Sequence, residues 1–391
     1  MLALWTATVR TVRRVRIALI AETFTPAVNG VVNSVRQVAD RLASRGHHPV
    51  VIAPSGIPYT SKSGHWIEVV TVPGMSMPGY RELTVARPGT DLLPVLRKLD
   101  PDVVHLASPA VLGKLAVDAA NTLDIPSVAI YQTDLSAFAR RYHLGISNRI
   151  VWNQLRRIHN AADLTLVPST ASAYQLRSQG IGPLARWARG VDRDLFNPRH
   201  RDADWRLEVG GGALIVGFVG RLAPEKRVEL LAATSRLPGV RLVVVGAGPR
   251  ARVLHKAMPH ARFTGQLTGP ALGRVMSSLD LLVHPGADET FCQVIQEALC
   301  AGVPVVATAS GGPLDLIKHE VNGLLWAGDD PTVLAAQVAA LRDDPIGLAR
   351  MAVHARPSVV HRTWARVTDE LLGFYDRVIE TRRTARRRAV A

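Results

Sequence analysis

Two acidic and two basic residues carry the most chemistry that can be read from this sequence. In ETFCQVIQE, Glu289 and Glu297 stand eight positions apart. Along a helix that is about 12 Å, at ~1.5 Å per residue. The span is comparable to the separation of a hexose and a ribose across a diphosphate. Two carboxylates so placed could accept from the hexose and from the ribose diol of one nucleotide sugar. The first amides of a helix have no partner within it, so Phe291, Cys292 and Gln293 could turn theirs to sugar hydroxyls. The same spacing also fits one glutamate favoured at a helix start by the macrodipole and a second on the helix surface.

The basic pair lies in GRLAPEKRVE, directly after the apolar run LIVGFV. Arg221 and Lys226 are five positions apart across an expected strand-to-helix turn, and Pro224 suits the first turn of a helix. Two cations beside a helix N-terminus form a diphosphate site. Fixed positive charge there could stabilise a departing nucleoside diphosphate without a metal. A solvated basic turn is the plainer alternative. In PAVNGVVNS, Gly30 opens the first expected helix, where a glycine lets backbone approach a phosphate or merely makes a turn. In VVVGAGPR, Gly246 and Gly248 begin a dinucleotide fingerprint that lacks its third glycine, so a tight turn is the better reading. No P-loop and no GxSxG elbow occurs. In IYQTDLSAFARRYHLG, Gln132 and Asp134 could contact the transferred sugar or an acceptor. Arg140, Arg141 and Tyr142 could meet an anionic acceptor, or the whole stretch could be a solvated loop.

Those residues need elements to hold them, and the chain alternates short apolar runs with amphipathic stretches. Strands are expected at 15–21, 49–53, 67–72, 102–106, 127–131 and 164–167, then at 214–219, 241–245, 261–264, 281–284 and 304–307. Apolar residues at helical spacing predict helices over 31–42, 111–123, 150–161, 225–235, 270–278, 291–301 and 331–342, with one long helix over 363–383. Strands alternating with helices predict an α/β protein with parallel sheets covered on both faces. The polar, glycine-rich stretch 190–212 interrupts the alternation and reads as a linker. At 391 residues two domains are expected: residues 13–190, with a C-terminal helix at about 365–385 packing back on it, and residues 191–364. Sheets of this type bind ligands at the carboxyl ends of their strands. Every motif above follows an expected strand, which predicts a reaction in the cleft between the domains.

Composition narrows the partners. Lys plus Arg is 47 against 32 for Asp plus Glu, a formal charge of +15, which favours anionic partners. Arginines cluster at both ends: Arg10, Arg13, Arg14 and Arg16, then Arg382, Arg383, Arg386, Arg387 and Arg388. They could be solvated tails, or they could attach the protein to anionic lipid headgroups. A basic nucleic-acid-binding protein is the rival class, but no such module is present and aromatics are only 5%. Cys292 and Cys300, expected on one helix, cannot bridge each other, and no metal-ligand spacing occurs. A reducing cytoplasm follows. No apolar run has the ~18 residues of a membrane span, and no signal peptide is apparent.

Taken together, PAVNGVVNSV, DVVHLASP, YQTD, WARGVDRDLF, VGFVGRLAPEKRVE, VVVGAGP, HPGADETFCQVIQEAL and AGVPVVATASGGPLDLI resemble the family 4 retaining glycosyltransferases of the GT-B fold. The resemblance covers roughly residues 15–375. It implies two Rossmann-like, doubly wound parallel-sheet domains facing a central cleft. It is nearest to the actinobacterial GDP-mannose-dependent α-mannosyltransferases, which act on glycolipids such as glucuronosyl diacylglycerol in lipomannan-related synthesis. A UDP-sugar donor or a phosphatidylinositol mannoside acceptor is the related alternative.

The resemblance implies roles at matching positions. Gly30 would approach the donor phosphate, and Arg221 and Lys226 would bind the diphosphate. Glu289 would lie near the hexose, and Glu297 would hold the ribose. Residues 291–293 would donate backbone N–H groups to sugar hydroxyls, and the 263–267 stretch, with Phe263 and Leu267, would touch the base. Two departures stand out: Gln132 occupies a position where many relatives have a sugar-contacting histidine, and Cys292 one where many have glycine. The resemblance further implies retention, with the leaving phosphate accepting the acceptor's proton. It implies no metal, no cofactor, no nucleic acid partner, and peripheral attachment to the inner face of the plasma membrane.

Overall fold

In the computed structural model, residues 14–27, 29–77, 80–87, 89–107, 109–136 and 147–390 are described. The expectations placed on Arg10, Arg13, Arg140, Arg141 and Tyr142 lie outside these residues.

Most strands fall where the apolar runs predict them. They are β1 (Arg16–Ile20), β2 (His48–Ala53), β3 (Tyr59–Thr60), β4 (Trp66–Thr71), β5 (Gly74–Met77), β6 (Tyr80–Ala86), β7 (Val103–Leu106) and β8 (Ser127–Ile130). There follow β9 (Leu164–Val167), β10 (Leu184–Arg186), β11 (Leu214–Val219), β12 (Val240–Val245), β13 (Arg262–Gly265), β14 (Leu281–His284), β15 (Val305–Thr308) and β16 (Gly323–Trp326). An eight-stranded sheet has the order β10-β9-β8-β7-β1-β2-β4-β3. A six-stranded sheet has the order β13-β12-β11-β14-β15-β16, and all its pairings are parallel. β5 and β6 form a separate antiparallel hairpin that local pattern did not predict.

By contact, the described chain forms two compact units. One comprises the residues up to Ala107, Val111–Val128 and the residues from Arg377 onward; the other comprises 109–110 and Ala129–Asp376.

The second unit shows why a parallel strand must be apolar on both faces. Ile215 and Val219 of β11 and Val243 and Val245 of β12 enter one buried cluster, with Ile295 and Leu299 of the helix Gln293–Cys300. The alternate residues Val216, Phe218, Leu242 and Val244 enter another, with Leu334 and Val338 of the helix Pro331–Asp343. Side chains alternate across a sheet with a period of two, so each strand contributes to two cores. Each fully buried Val, Leu or Phe is worth about 1.5–3 kcal/mol.

Three local expectations are corrected. The helix expected over 225–235 is instead three 3-10 pieces, Pro224–Lys226, Val228–Ala232 and Thr234–Arg236. Arg227 adopts a left-handed φ of 51° between the first two, which breaks the helical hydrogen-bond ladder. The stretch 190–212 is not a loose linker: it contains the helix Ala203–Gly210, N-capped by Asp202, with Trp205 and Val209 buried. Its glycine run ends that helix, with Gly211 left-handed at φ 53°. The helix expected from Phe291 begins at Gln293, because Cys292 caps it in the left-handed region at φ 72°. The long C-terminal helix is present and runs from Trp364 to Val390.

Candidate active site

Numbered from β11, the six-stranded sheet has the strand order 3-2-1-4-5-6 of a doubly wound nucleotide-binding sheet. Its direction of winding reverses between β11 and β14, which lie side by side. The loops leaving these two strands therefore diverge and leave a crevice at the strands' carboxyl ends. The loop after β11 carries Arg221 and Lys226, and the loop after β14 carries Glu289.

The strand order brings Lys226 and Glu289 together. Lys226 Nζ donates to Glu289 Oε1 at 2.5 Å. His284, the last residue of β14, donates to the same oxygen from Nε2 at 2.9 Å. His284 is buried and stacks on Phe218, with ring centroids 6.0 Å apart. Burial would raise the Glu289 pKa, but the Lys226 ammonium and the His284 bond outweigh it and hold the carboxyl well below the usual range. Burial acts against the charge of Lys226, yet Glu289 raises its pKa on balance. Arg221 is half-buried, and desolvation lowers its pKa against the opposing charge of Glu225. His284, Glu289 and Cys292 each place a ligand atom within 4.8 Å of the others. A metal fits them poorly. Lys226 already supplies positive charge at Glu289, and burial holds the Cys292 thiol protonated.

The backbone of 289–292 is clamped from the segment that follows β15. Gly312 N donates to Glu289 O at 2.7 Å. A Cβ on Gly312 would lie 2.3 Å from Phe291 Cα, so only glycine permits this approach. Cys292 then turns left-handed and opens the helix Gln293–Cys300; Ile295 N donates back to Cys292 O at 3.1 Å, whereas the amides of Gln293 and Val294 stand too early in the helix for an intrahelical partner.

Gln132, beyond β8, is drawn to the same place. Thr290 Oγ1 donates to Gln132 O at 2.8 Å, and Arg189 Nη2 donates to Gln132 Oε1. Gln293 Nε2 donates to Gly190 O at 2.8 Å, and Gln296 Nε2 to Arg189 O at 3.1 Å. Asp134 accepts from Gln175 Nε2 at 2.9 Å. Glu297 is half-buried on the helix. Desolvation, opposed by a Gln293 hydrogen bond and reinforced by Asp192, raises its pKa to about 8.

Other expected residues lie on other elements. Phe263, on β13, packs toward one sheet face and stacks on His255 with centroids 3.8 Å apart; Leu267 packs toward the opposite face. Gly30 is in the first unit, at the start of the helix Gly30–Ser44. Asn29 Oδ1 caps that helix, accepting from Val31 N at 3.0 Å and Val32 N at 2.9 Å. Apart from its chain neighbours and its own helix, no heavy atom of the described residues lies within 4 Å of where a Gly30 side chain would project. Gly246 makes the tight turn expected of it: at φ 145°, a Cβ would lie 1.9 Å from Gly220 O. His284, Thr290 and Arg189 were not singled out by sequence reasoning. The only signals were a histidine closing an apolar strand and an arginine within WARGVD.

Comparison with known proteins places this site in a family. Residues 28–195 match the sequence model of Glycosyltransferase Family 4, and residues 201–357 that of Glycosyl transferases group 1. A GDP-mannose-dependent alpha-mannosyltransferase of Corynebacterium glutamicum is 44% identical over 373 residues, covering 94% of this chain and 90% of its own. The chain belongs to glycosyltransferase family 4. Another family 4 relative, the GDP-mannose-dependent alpha-mannosyltransferase of Mycobacterium tuberculosis, is 45% identical over 375 residues, covering 95% of this chain and 98% of its own. Sucrose-phosphate synthase from Thermosynechococcus elongatus superposes with a TM-score of 0.78 at 21% identity, covering 94% of this chain and all of that one. This family 4 glycosyltransferase thus has the GT-B fold. Among its described residues, no helix is long and apolar enough to cross a membrane.

Proposed function

We propose that this family 4 enzyme transfers mannose from GDP-mannose, with retention of anomeric configuration, to a membrane glycolipid such as glucuronosyl diacylglycerol. The observation that carries the reading is the Lys226–Glu289 pair at the reversal point of the six-stranded sheet, with Arg221 on the same loop as Lys226. The mannose donor is supported by the full-length relatives whose names specify it.

In this reading Arg221 and Lys226 bind the diphosphate and offset the charge that develops as it leaves. Glu289, kept ionised, orients the hexose hydroxyls. The backbone amides of 291–293 donate to the sugar, Glu297 accepts from the ribose, and Phe263 and Leu267 flank the base. Gly30 leaves room for the phosphate. Gln132 and Asp134 meet the transferred sugar or the acceptor. The leaving phosphate takes the acceptor's proton, so neither a carboxylate nucleophile nor a metal is needed. We assign residues 191–364 to the donor. The acceptor is assigned to 13–190 with the C-terminal helix at about 365–385. That division is supported by family matches that part between residues 195 and 201. The enzyme acts at the inner face of the plasma membrane, held there peripherally by its basic surface.

The test is a donor panel with membrane lipid extract, following labelled lipid and released nucleotide. GDP-mannose should be consumed and the lipid labelled. Preference for UDP-glucose, or labelling of a phosphatidylinositol mannoside instead, would overturn the donor or the acceptor assignment respectively.

A further inference from the structure

Lys226 and His284 donate to the same oxygen, Glu289 Oε1, but they are held very differently. A lysine carries its charge on a flexible four-carbon stem. The His284 ring is 1% exposed and stacks on Phe218. Its backbone is fixed at the end of β14, paired with Ala307. The bond from His284 to Glu289 passes beside Gly286, where a Cβ would lie 3.0 Å from Nε2 and 3.2 Å from Oε1. Glycine at that position leaves both atoms in place.

An imidazole is costly where this one stands. A carboxylate only accepts, so Nε2 bears the hydrogen of the bond. Nδ1 is buried, with no hydrogen-bond partner among the described residues. An orphaned polar atom of that kind costs about 1–3 kcal/mol. A phenylalanine would fill the same space and stack on Phe218 without that cost. Charge compensation does not call for a histidine either, because Lys226 already pairs with Glu289. What the imidazole adds is a second donor that does not move. The other carboxylate oxygen, Oε2, takes no bond from a described residue, and the side chain is 13% exposed.

We infer that His284 is a positioning residue for the transfer reaction: it holds Glu289 Oε1 in place as Lys226 turns its ammonium to the donor's diphosphate, and so keeps Oε2 directed at the hexose hydroxyls. A carboxylate held by Lys226 alone would shift with the ammonium whenever the diphosphate pulled on it. A rigid neighbour separates the two tasks. The inference rests on the sugar-transfer reading of the site proposed above.

The test uses the full chain as His284→Phe, as His284→Gln, and as His284→Phe combined with Glu289→Ala and read against Glu289→Ala itself. Each is followed by Tm, by kcat/KM for GDP-mannose with lipid extract, and by calorimetric affinity for GDP-mannose and for GDP. GDP carries no hexose, so its binding does not call on Glu289. His284→Phe should lower kcat/KM and GDP-mannose affinity about tenfold, with GDP affinity changed less than about threefold. Its Tm should move by less than about 4 °C. His284→Gln, whose amide nitrogen can reach the place of Nε2, should recover most of the loss. On the Glu289→Ala background, His284→Phe should change GDP-mannose affinity less than about twofold. Wild-type kcat/KM in folded His284→Phe overturns the inference. So does an equal loss of GDP affinity, or a further loss of about tenfold on the Glu289→Ala background. Should His284→Phe fail to fold, His284→Asn, whose amide reaches the place of Nδ1 but not of Nε2, decides by the same criteria. A wild-type protein that binds no GDP-mannose would instead refute the proposed function, a result distinguishable from wild-type binding with unaffected variants.

Discussion

Lys226 Nζ and Glu289 Oε1 are 2.5 Å apart, although 63 residues separate them in the chain. Neither charge has much access to water: the side chains are 23% and 13% exposed. The lysine ammonium must be offered to a diphosphate if this site binds one. Lys226→Ala should therefore lower turnover about a hundredfold or more while the protein remains folded. Near-normal mannosyl transfer by that variant would remove the diphosphate role.

The same pair makes a separate prediction for stability. Removing one partner of a buried ion pair leaves an uncompensated charge, so Lys226→Met should cost about 3 kcal/mol in denaturant unfolding. The double change Lys226→Met with Glu289→Leu should restore most of that loss. The folded pKa of Glu289 lies below its unfolded value of about 4.5. Its stabilising contribution is thus complete above pH 4.5 and is lost as pH falls through the folded value. Wild type should lose stability relative to the double variant as the medium is acidified below pH 4.5; parallel pH profiles would contradict the pairing.

Glu297 behaves in the opposite sense. Its folded pKa is raised to about 8 from 4.5. Between those values the folded chain keeps a proton that the unfolded chain has lost, so stability falls as pH rises across this window. Glu297→Gln lacks that dependence. Its Tm relative to wild type should climb from pH 5 to pH 8 and level off above, as read by scanning fluorimetry. In calorimetry, Glu297→Ala should weaken GDP binding about tenfold or more; unchanged affinity counts against a ribose contact.

Cys292 holds a left-handed φ of 72°, a region that costs residues with a Cβ about 1–2 kcal/mol. Changes to glycine and to alanine both delete the thiol, so their difference isolates the backbone. Cys292→Gly should be about 1 kcal/mol more stable than Cys292→Ala. Equal midpoints in urea would show that this turn is unstrained.

The C-terminal arginines do not all face the same task. Arg382 and Arg386 bind Asp124, the former at 2.9 Å, whereas Arg387 and Arg388 are exposed and Arg383 is half-exposed. If each of the latter three contributes about 1 kcal/mol at an anionic surface, changing all three to glutamine should weaken binding to phosphatidylserine vesicles. The expected loss is on the order of a hundredfold. Unaltered sedimentation with vesicles would reject docking through this helix.

Much of this was legible in the chain itself, and the physical reason is locality. Strands β11, β12 and β14 announce themselves as apolar runs because both faces of a parallel sheet are buried. Arg221, Lys226, Glu289 and Glu297 announce themselves by spacing, because each pair lies within one strand-loop-helix unit. Where local signals were thin, local reading failed. The helix Ala203–Gly210 is short, and its apolar residues Trp205, Leu207 and Val209 alternate with charged ones instead of recurring at helical spacing, so it resembled a linker. The 225–235 stretch has helical periodicity, but Arg227 turns left-handed within it.

What the sequence determined by itself was the alternation of elements and which residues stand at their ends, since both depend on neighbours a few positions away. Only the tertiary structure decided that Lys226, His284 and Glu289 share one oxygen, and that the side chain of Arg189 reaches Gln132 across 57 residues. Those contacts depend on which strands lie side by side and which way each loop leaves the sheet. That is settled by packing the whole set of strands and helices together, and no short window of residues encodes it.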